Sequence, residues 1–250
     1  MLTHLAKWCV MLVPLSACVP ARLGAEAKVE NPFRSIKVIG VEATPLMIKV
    51  TVRNETSQNI TAIEFASFAP SADTIATIDS DYGIEDTVLV PSASRVFNID
   101  VVAGHPTSKV RIVAIVFEDG TGEGVPARLD FIKSNRVGRR EQMRRIAPYW
   151  SSLLNTVQKG DAPTLGQLLN SILEAVSVLE ETPAEEQDTP NRNVAAQQLG
   201  LISVKKEMVR HTQRLQERLA EGVPMEIMEK IIERYKGQFD AILAKLEKLG

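Results

Sequence analysis

Six basic side chains crowd into one short stretch of the chain, and together they could bind an anion. The only acidic residue within that stretch is Glu141. The basic residues are Lys133, Arg136, Arg139, Arg140, Arg144 and Arg145. Three of them, Arg136, Arg140 and Arg144, recur every four residues and therefore share one face of a helix. This pattern predicts a contact with an anionic surface such as phospholipid headgroups. The alternative is a solvated basic face that pairs with acidic residues of neighbouring helices.

No motif typical of an enzyme accompanies this cluster. The sequence contains no Gly-x-Ser-x-Gly elbow, no Walker-type glycine loop, no His-Glu-x-x-His and no Cys-x-x-Cys. Beyond His4, the histidines are His105 and His211, and neither has the converging partners that catalysis needs, so both are expected at the surface. One acidic loop offers oxygen ligands for calcium, but its spacing matches no EF-hand loop and favours plain solvation. That loop contains Asp79, Asp81, Glu85 and Asp86. We therefore expect no catalytic residue, no metal site and no cofactor.

The first 27 residues have the pattern of an export signal. Lys7 precedes a short apolar run, which ends at Leu15 and is followed by Ser16-Ala17-Cys18. The run is shorter than the roughly 20 apolar residues that a membrane-spanning helix needs. Leu15 to Cys18 resembles a bacterial lipobox, which implies cleavage before Cys18 and a lipid on that residue. The alternatives are ordinary signal cleavage near Ala21 or Ala27, or an uncut anchor. We expect a membrane-anchored protein at the periplasmic face of the envelope, or a secreted one.

Composition sets few further limits on the function. Hydrophobic residues make up 44% and charged residues 24% of the chain, values that are ordinary for a folded protein. The net charge of −2 identifies no partner, and no nucleic-acid partner is expected outside the cytoplasm. Both cysteines, Cys9 and Cys18, lie in the signal, so the remaining chain can form no internal disulfide.

The region from residue 28 to 126 has the patterning of β-strands. Apolar and polar side chains alternate in several short runs separated by turn-rich segments, which predicts an antiparallel immunoglobulin-like (Ig-like) β-sandwich. The predicted strands are Ile36–Glu42, Leu46–Arg53, Ile60–Phe68, Thr74–Ile78, Thr87–Val90, Ser94–Val101 and Lys109–Phe117. Asp119-Gly120 then predicts a hairpin turn with a brief last strand after it.

Three segments of this region resemble an uncharacterised family of exported bacterial proteins with an Ig-like domain. The segments are Val52–Thr56, Ile60–Phe65 and Val116–Thr121. The resemblance implies an Ig-like fold and an envelope location, and it brings no activity and no catalytic residues.

From residue 127 to 250 the hydrophobic period becomes that of helices, so the fold class is α+β with a C-terminal helical hairpin or bundle. The predicted helices are Leu129–Gln158, Pro163–Glu181, Pro190–Glu221 and Pro224–Leu249, and Asp161 and Thr189 are suitable N-caps. The last helix carries a coiled-coil-like apolar seam of Met228, Ile232, Tyr235, Phe239, Ile242, Leu246 and Leu249. We expect this seam to pack on the preceding helix as a tight hairpin. The apolar stripe on the preceding helix is sparse. Contact of part of the seam with the second helix or with another chain is therefore an alternative.

The sequence therefore predicts a non-enzymatic scaffold or adaptor of the cell envelope, or a secreted one. It would bind another protein through the β-sandwich or the helical seam, with membrane contact by the lipid anchor and the basic helix. The alternative function is an unrecognised envelope enzyme with a carboxylate-based site. The sequence names neither the partner nor the oligomeric state.

Overall fold

The chain folds into a β region followed by four packed helices, as its periodicity predicts. The computed structural model describes residues 28–44, 47–69, 72–79, 88–100, 109–182 and 193–249. The strands in these ranges are β1 (Lys28–Glu30), β2 (Ile36–Ala43), β3 (Met47–Asn54), β4 (Ile60–Ala69), β5 (Ala72–Asp79), β6 (Ser94–Asp100), β7 (Lys109–Phe117) and β8 (Gly122–Gly124). The helices are α1 (Pro126–Val157), α2 (Ala162–Ser177), α3 (Val194–Ala220) and α4 (Met225–Lys248).

The strands form two sheets. Sheet A has the order β1-β7-β4-β5, with β8 also paired to β7, and sheet B has the order β2-β3-β6. All these pairings are antiparallel except that β1 runs parallel to β7, so sheet A is mixed where the sequence predicted only antiparallel pairing. The sequence missed β1 because a three-residue strand is too short to show alternation. The strand predicted at Thr87–Val90 is reduced, within the described residues, to a single bridge between Leu89 and Ile60.

Strands β4 and β7 of sheet A are buried on both faces of the sheet. One face shares a hydrophobic cluster with sheet B, in which the rings of Phe65 and Phe97 lie 5.2 Å apart between their centroids. The other face packs on α1, where Ala62 and Ala114 contact a cluster that includes Ile132. Burial on both faces explains why the end of β7 is continuously apolar, as in the central strand of a covered sheet.

Helices α1 and α3 cross at very short range through two glycines. A Cβ atom added at Gly138 would overlap the backbone carbonyl of Gln197, and one added at Gly200 would overlap that of Asn135. The side-chain amide of Asn135 also donates to the carbonyl of Ala196 at 3.1 Å. Only residues without a side chain allow this approach, so the glycine pair sets the distance between the two helices.

The apolar seam of α4 packs chiefly on α1 and meets α3 over only a short stretch. The expected tight hairpin of α3 and α4 is therefore wrong. The ring of Trp150 on α1 lies 5.9 Å from the ring of Tyr235 and 6.3 Å from that of Phe239. The physical reason is that α1 offers a fuller apolar stripe than α3, where Thr212 occupies a seam position.

Candidate functional site

The six clustered basic side chains between Lys133 and Arg145 of α1 differ in their burial. Lys133 and Arg144 are exposed, Arg140 and Arg145 are half-buried, and Arg136 and Arg139 are buried. Arg136 is 5% and Arg139 is 2% exposed, because α1 is covered by sheet A, α3 and α4. These two do not belong to the exposed basic face that the sequence predicts. Contact of the other four with an anionic surface stays a prediction.

Two of these arginines lie against the C-terminal end of α4. Arg140 Nη1 lies 3.5 Å from the carbonyl oxygen of Leu246, and Arg144 Nε donates to the carboxylate of Glu247 at 3.1 Å. The last carbonyl groups of a helix have no intrahelical partner and carry partial negative charge. Cations from α1 therefore stabilise the end of α4 while fixing its position on α1.

Two others make contacts nearer to the core. The buried Arg136 donates from Nη2 to the hydroxyl of Thr61 on β4 at 3.0 Å, which links α1 to sheet A. Arg145 pairs with Glu141 one turn earlier on the same helix, at 2.5 Å. The pairing with an acidic residue of a neighbouring helix, which the alternative expects, therefore occurs at Arg144 with Glu247, whereas the partner of Arg145 is on α1 itself. Arg136 has a structural contact that the sequence did not suggest.

A recess forms where the turn between β7 and β8, α1 and the end of α4 meet, and we call it the basic recess. It has a volume of about 300 Å³ and is lined by Asp119, Gly120, Thr121, Lys133, Arg136, Val137, Arg140, Leu246 and Leu249. Hydrogen bonds from the hydroxyl and the amide of Thr121 lower the pKa of Asp119, so this residue stays a carboxylate. Lys133 and Arg140 are accessible in the recess, and the buried Arg136 forms part of its wall. Three cations therefore surround one carboxylate, and the recess is positively charged overall.

A second cavity lies between α1, α3 and α4, and we call it the aromatic pocket. Its volume is about 60 Å³, enough for a few water molecules or part of a small ligand. It is lined by Arg139, Met143, Trp150, Val204, Glu207, Met208, His211, Tyr235, Gln238, Phe239 and Ile242. Helix α4 contacts α3 over only a short stretch, and Tyr235, Phe239 and Ile242 of the seam are only half-buried at this pocket.

Trp150 and His211, which both line this pocket, each have a buried polar atom without a hydrogen-bond partner. The two atoms are Trp150 Nε1 and His211 Nδ1. A buried polar group left unpaired costs about 1–3 kcal/mol, so such groups in a folded protein require an explanation. Water or a ligand with matching groups would satisfy both atoms.

His211 also forms a pair with Glu207 one turn earlier on α3. The distance from His211 Nε2 to Glu207 Oε1 is 3.5 Å. The hydrogen bond from His211 lowers the pKa of Glu207 more than burial raises it, and the charges of Arg139 and Arg210 lower it further. The sequence had predicted an exposed, unpartnered His211. It lies instead half-buried among aromatic rings, and the one signal in the sequence was the four-residue spacing from Glu207.

The other candidate residues make structural contacts or lie outside the described ranges. Cys18, His105 and the loop residues Asp81, Glu85 and Asp86 fall outside them, as does the predicted N-cap Thr189. In the β7–β8 turn, Glu118 accepts from Asn59 at 2.6 Å, which fits the hairpin interpretation. Among the residues that the structure describes, no three His, Cys, Asp or Glu side chains form a group that could bind a metal ion. No helix in those ranges is long and apolar enough to cross a membrane.

Comparisons of this chain with models of protein families, with curated proteins and with solved structures gave no match.

Proposed function

We propose that this chain is a non-enzymatic, exported adaptor of the bacterial cell envelope that binds an acidic segment of another protein. In this proposal a lipid on Cys18 tethers it at the periplasmic face, or cleavage at a later site releases it for secretion. The hydrophobic cluster shared by sheets A and B supports an Ig-like β-sandwich as its first half. This fold agrees with the exported family that the sequence resembles.

The observation that carries the proposal is the basic recess. Its three cations come from one helix, and the recess also draws on the β7–β8 turn and on α4. Lys133 is exposed at its rim, and no carboxylate in the described part of the chain pairs with it. A partner bound in the recess contacts the β region and the helices at once, and such a shared binding surface suits an adaptor.

An acidic protein segment fits the recess better than a membrane surface does. A protruding Asp or Glu side chain can enter a concave recess, whereas lipid headgroups form a broad layer. Each accessible Lys or Arg near an anionic membrane contributes about 1 kcal/mol. Burial of Arg136 and Arg139, together with the pairing of Arg144 and Arg145, leaves few such cations on α1.

The test is a titration of the full chain, carrying Cys18→Ser to remove the lipid, with a polyglutamate peptide. Reversal of one charge by Lys133→Glu should weaken binding about tenfold, which corresponds to ~1.4 kcal/mol. The matched control is Lys206→Glu, which makes the same change at an exposed position of α3 outside the recess. Equal losses in both variants would show nonspecific charge attraction and would contradict the proposal.

A parallel titration with phosphatidylglycerol vesicles separates the two anionic partners. The adaptor proposal expects binding of the peptide and weak binding of the vesicles. Vesicle binding that Lys133→Glu abolishes, with no peptide binding, would assign the basic helix to the membrane instead.

One observation favours the alternative function, an enzyme with a carboxylate-based site. The pair of Glu207 and His211 lies in the aromatic pocket beside Tyr235, and such pairs serve in general acid–base catalysis. The centroids of the His211 and Tyr235 rings are 4.2 Å apart. Turnover of a substrate by the wild type that Glu207→Gln abolishes, with the fold intact, would favour the enzyme.

A further inference from the structure

We propose that the aromatic pocket binds a small, uncharged, planar molecule whose ring carries a carboxamide-like group. This inference does not depend on the adaptor function, because the pocket and the basic recess have different lining residues. It rests on the shape of the pocket, on its two unpartnered polar atoms and on its charge.

The walls of the pocket suit a flat ring. Trp150 lies in edge-to-face contact with His211 and Tyr235, at centroid distances of 6.0 and 5.9 Å. Met143 and Met208 add flexible apolar surface, which adapts to ligands of irregular outline. The cavity of about 60 Å³ holds only part of such a molecule, so the ring would lie partly at its open mouth. There it would cover Tyr235 and Phe239, which the neighbouring helices leave half-covered.

The unpartnered atoms determine the polar group. Trp150 is 2% exposed, and its Nε1–H can only donate a hydrogen bond. On His211, Nε2 faces the carboxylate of Glu207, which only accepts, so the proton of the neutral ring belongs on Nε2. His211 Nδ1 is then an acceptor. A carboxamide places a carbonyl acceptor next to an N–H donor and can therefore satisfy both atoms.

The charged side chains of the pocket favour a neutral ligand. Arg139 and Glu207 both line it, and they carry opposite charges. The guanidinium of Arg139 lies close enough to lower the pKa of Glu207. A charged ligand of either sign would be repelled by one of these two side chains, whereas a neutral amide would be repelled by neither.

The test is a titration of the full chain with three ring compounds, followed by NMR of the ligand. Benzamide offers both the acceptor and the donor, acetophenone offers only the acceptor, and toluene offers neither. Each hydrogen bond to a buried partner should strengthen binding by about threefold to tenfold, so the expected order is benzamide, acetophenone, toluene. Equal affinities, or no saturable binding of any of the three, would overturn the proposal.

Three variants locate the site. Trp150→Phe keeps an aromatic ring but removes Nε1, so it should abolish the preference for acetophenone over toluene while toluene still binds. Ile242→Phe should fill the pocket and abolish binding of all three compounds. The matched control is Ile227→Phe, on the same helix but 47% exposed, which should bind as the wild type does. A preference that survives Trp150→Phe, or binding that survives Ile242→Phe, would show that the compounds bind elsewhere.

Discussion

The carboxylate of Glu64 on β4 and the guanidinium of Arg128 in the first turn of α1 form a two-pronged ion pair. Arg128 Nε donates to one carboxylate oxygen at 2.9 Å, and Nη2 donates to the other. The two residues are 64 positions apart in the chain, and the Glu64 side chain is fully buried. This pair, together with Arg136 and Thr61, joins sheet A to the helices.

Loss of one member of the Glu64–Arg128 pair should destabilise the protein strongly. Arg128→Leu removes the charge of the guanidinium and both of its hydrogen bonds to the buried Glu64 carboxylate, and we expect the free energy of unfolding to fall by about 3–5 kcal/mol. Replacement of both residues by leucine should recover part of that loss, because the carboxylate that lost this partner is then absent. Urea denaturation of the single and double variants measures both effects.

An exposed ion pair provides the control for this comparison. Arg53 and Glu55 pair at 2.6 Å on the surface, so Arg53→Leu should cost no more than about 1 kcal/mol. A double leucine variant as unstable as Arg128→Leu alone would mean that lost packing, and not the unpaired charge, causes the destabilisation.

The crossing of α1 and α3 should not tolerate a methyl group at Gly200. The added Cβ would overlap the carbonyl oxygen of Asn135, which is backbone and cannot turn away. We expect Gly200→Ala to lower the free energy of unfolding by about 1–3 kcal/mol, as overpacking does. Gly237→Ala on α4 has no atom within 4 Å of the new Cβ and should instead stabilise the helix by about 1 kcal/mol. If both substitutions changed the free energy of unfolding in the same direction, the close crossing of α1 and α3 would be contradicted.

A charge at the centre of the α4 seam should destabilise the helical region. Phe239 is half-buried beside Trp150, and Phe239→Asp would place a carboxylate among apolar groups. We expect a loss of about 2–3 kcal/mol, seen as a lower melting temperature. Ile227→Asp, at an exposed position of the same helix, should change stability by no more than about 0.5 kcal/mol. Sedimentation of each variant reads the association state, and an unchanged melting temperature and mass for Phe239→Asp would show that the seam faces solvent.

The stability of the helical region should depend on pH through Glu207. Because the hydrogen bond from His211 lowers the pKa of Glu207 below its ordinary value of 4.5, the ionised carboxylate stabilises the folded state. That contribution is complete above the pKa of the unfolded chain and is lost as the pH falls through the lower pKa of the folded protein. The stability difference between wild type and Glu207→Gln should therefore be constant near neutral pH and shrink below about pH 4.5.

His211→Leu tests the cause of this dependence. This variant lacks the hydrogen-bond donor, so its loss of stability below about pH 4.5 should be smaller than that of the wild type. Denaturant titration at each pH measures the free energy of unfolding. If Glu207→Gln and His211→Leu lose as much stability in acid as the wild type does, the loss would have to come from other carboxylates.

The anchoring of the protein should depend on Cys18. Cys18→Ser removes the residue that the lipobox pattern assigns to lipid, so the protein should move from the membrane fraction to the soluble fraction. Two or three acyl chains give stable anchoring at about 0.8 kcal/mol per buried methylene, and their loss should be complete in fractionation. Mass spectrometry showing an unmodified mature N-terminus at Ala21, Glu26 or Lys28 would refute lipidation.

Sequence patterns determined the kind and order of the elements because those signals are local. Alternation at period two located β3, β4, β6 and β7, and the shift of period beyond Pro126 located the start of the helices within three residues. Asp161 accepts from the amide of Thr164 at the start of α2, and Gly120 has the positive φ of 80° that a glycine turn requires. Each of these features depends only on residues close in the chain, so the sequence displays it directly.

Only the tertiary structure decided which faces meet. The seam of α4 could pack on several apolar stripes, and its choice of α1 over α3 depends on the packing of all four helices together. Arg136 and Arg139 look like surface cations in the sequence, but a long side chain can be buried wherever distant groups accept its hydrogen bonds, as Thr61 does for Arg136. The aromatic pocket likewise lies between α1, α3 and α4, and no local pattern encodes a space between helices.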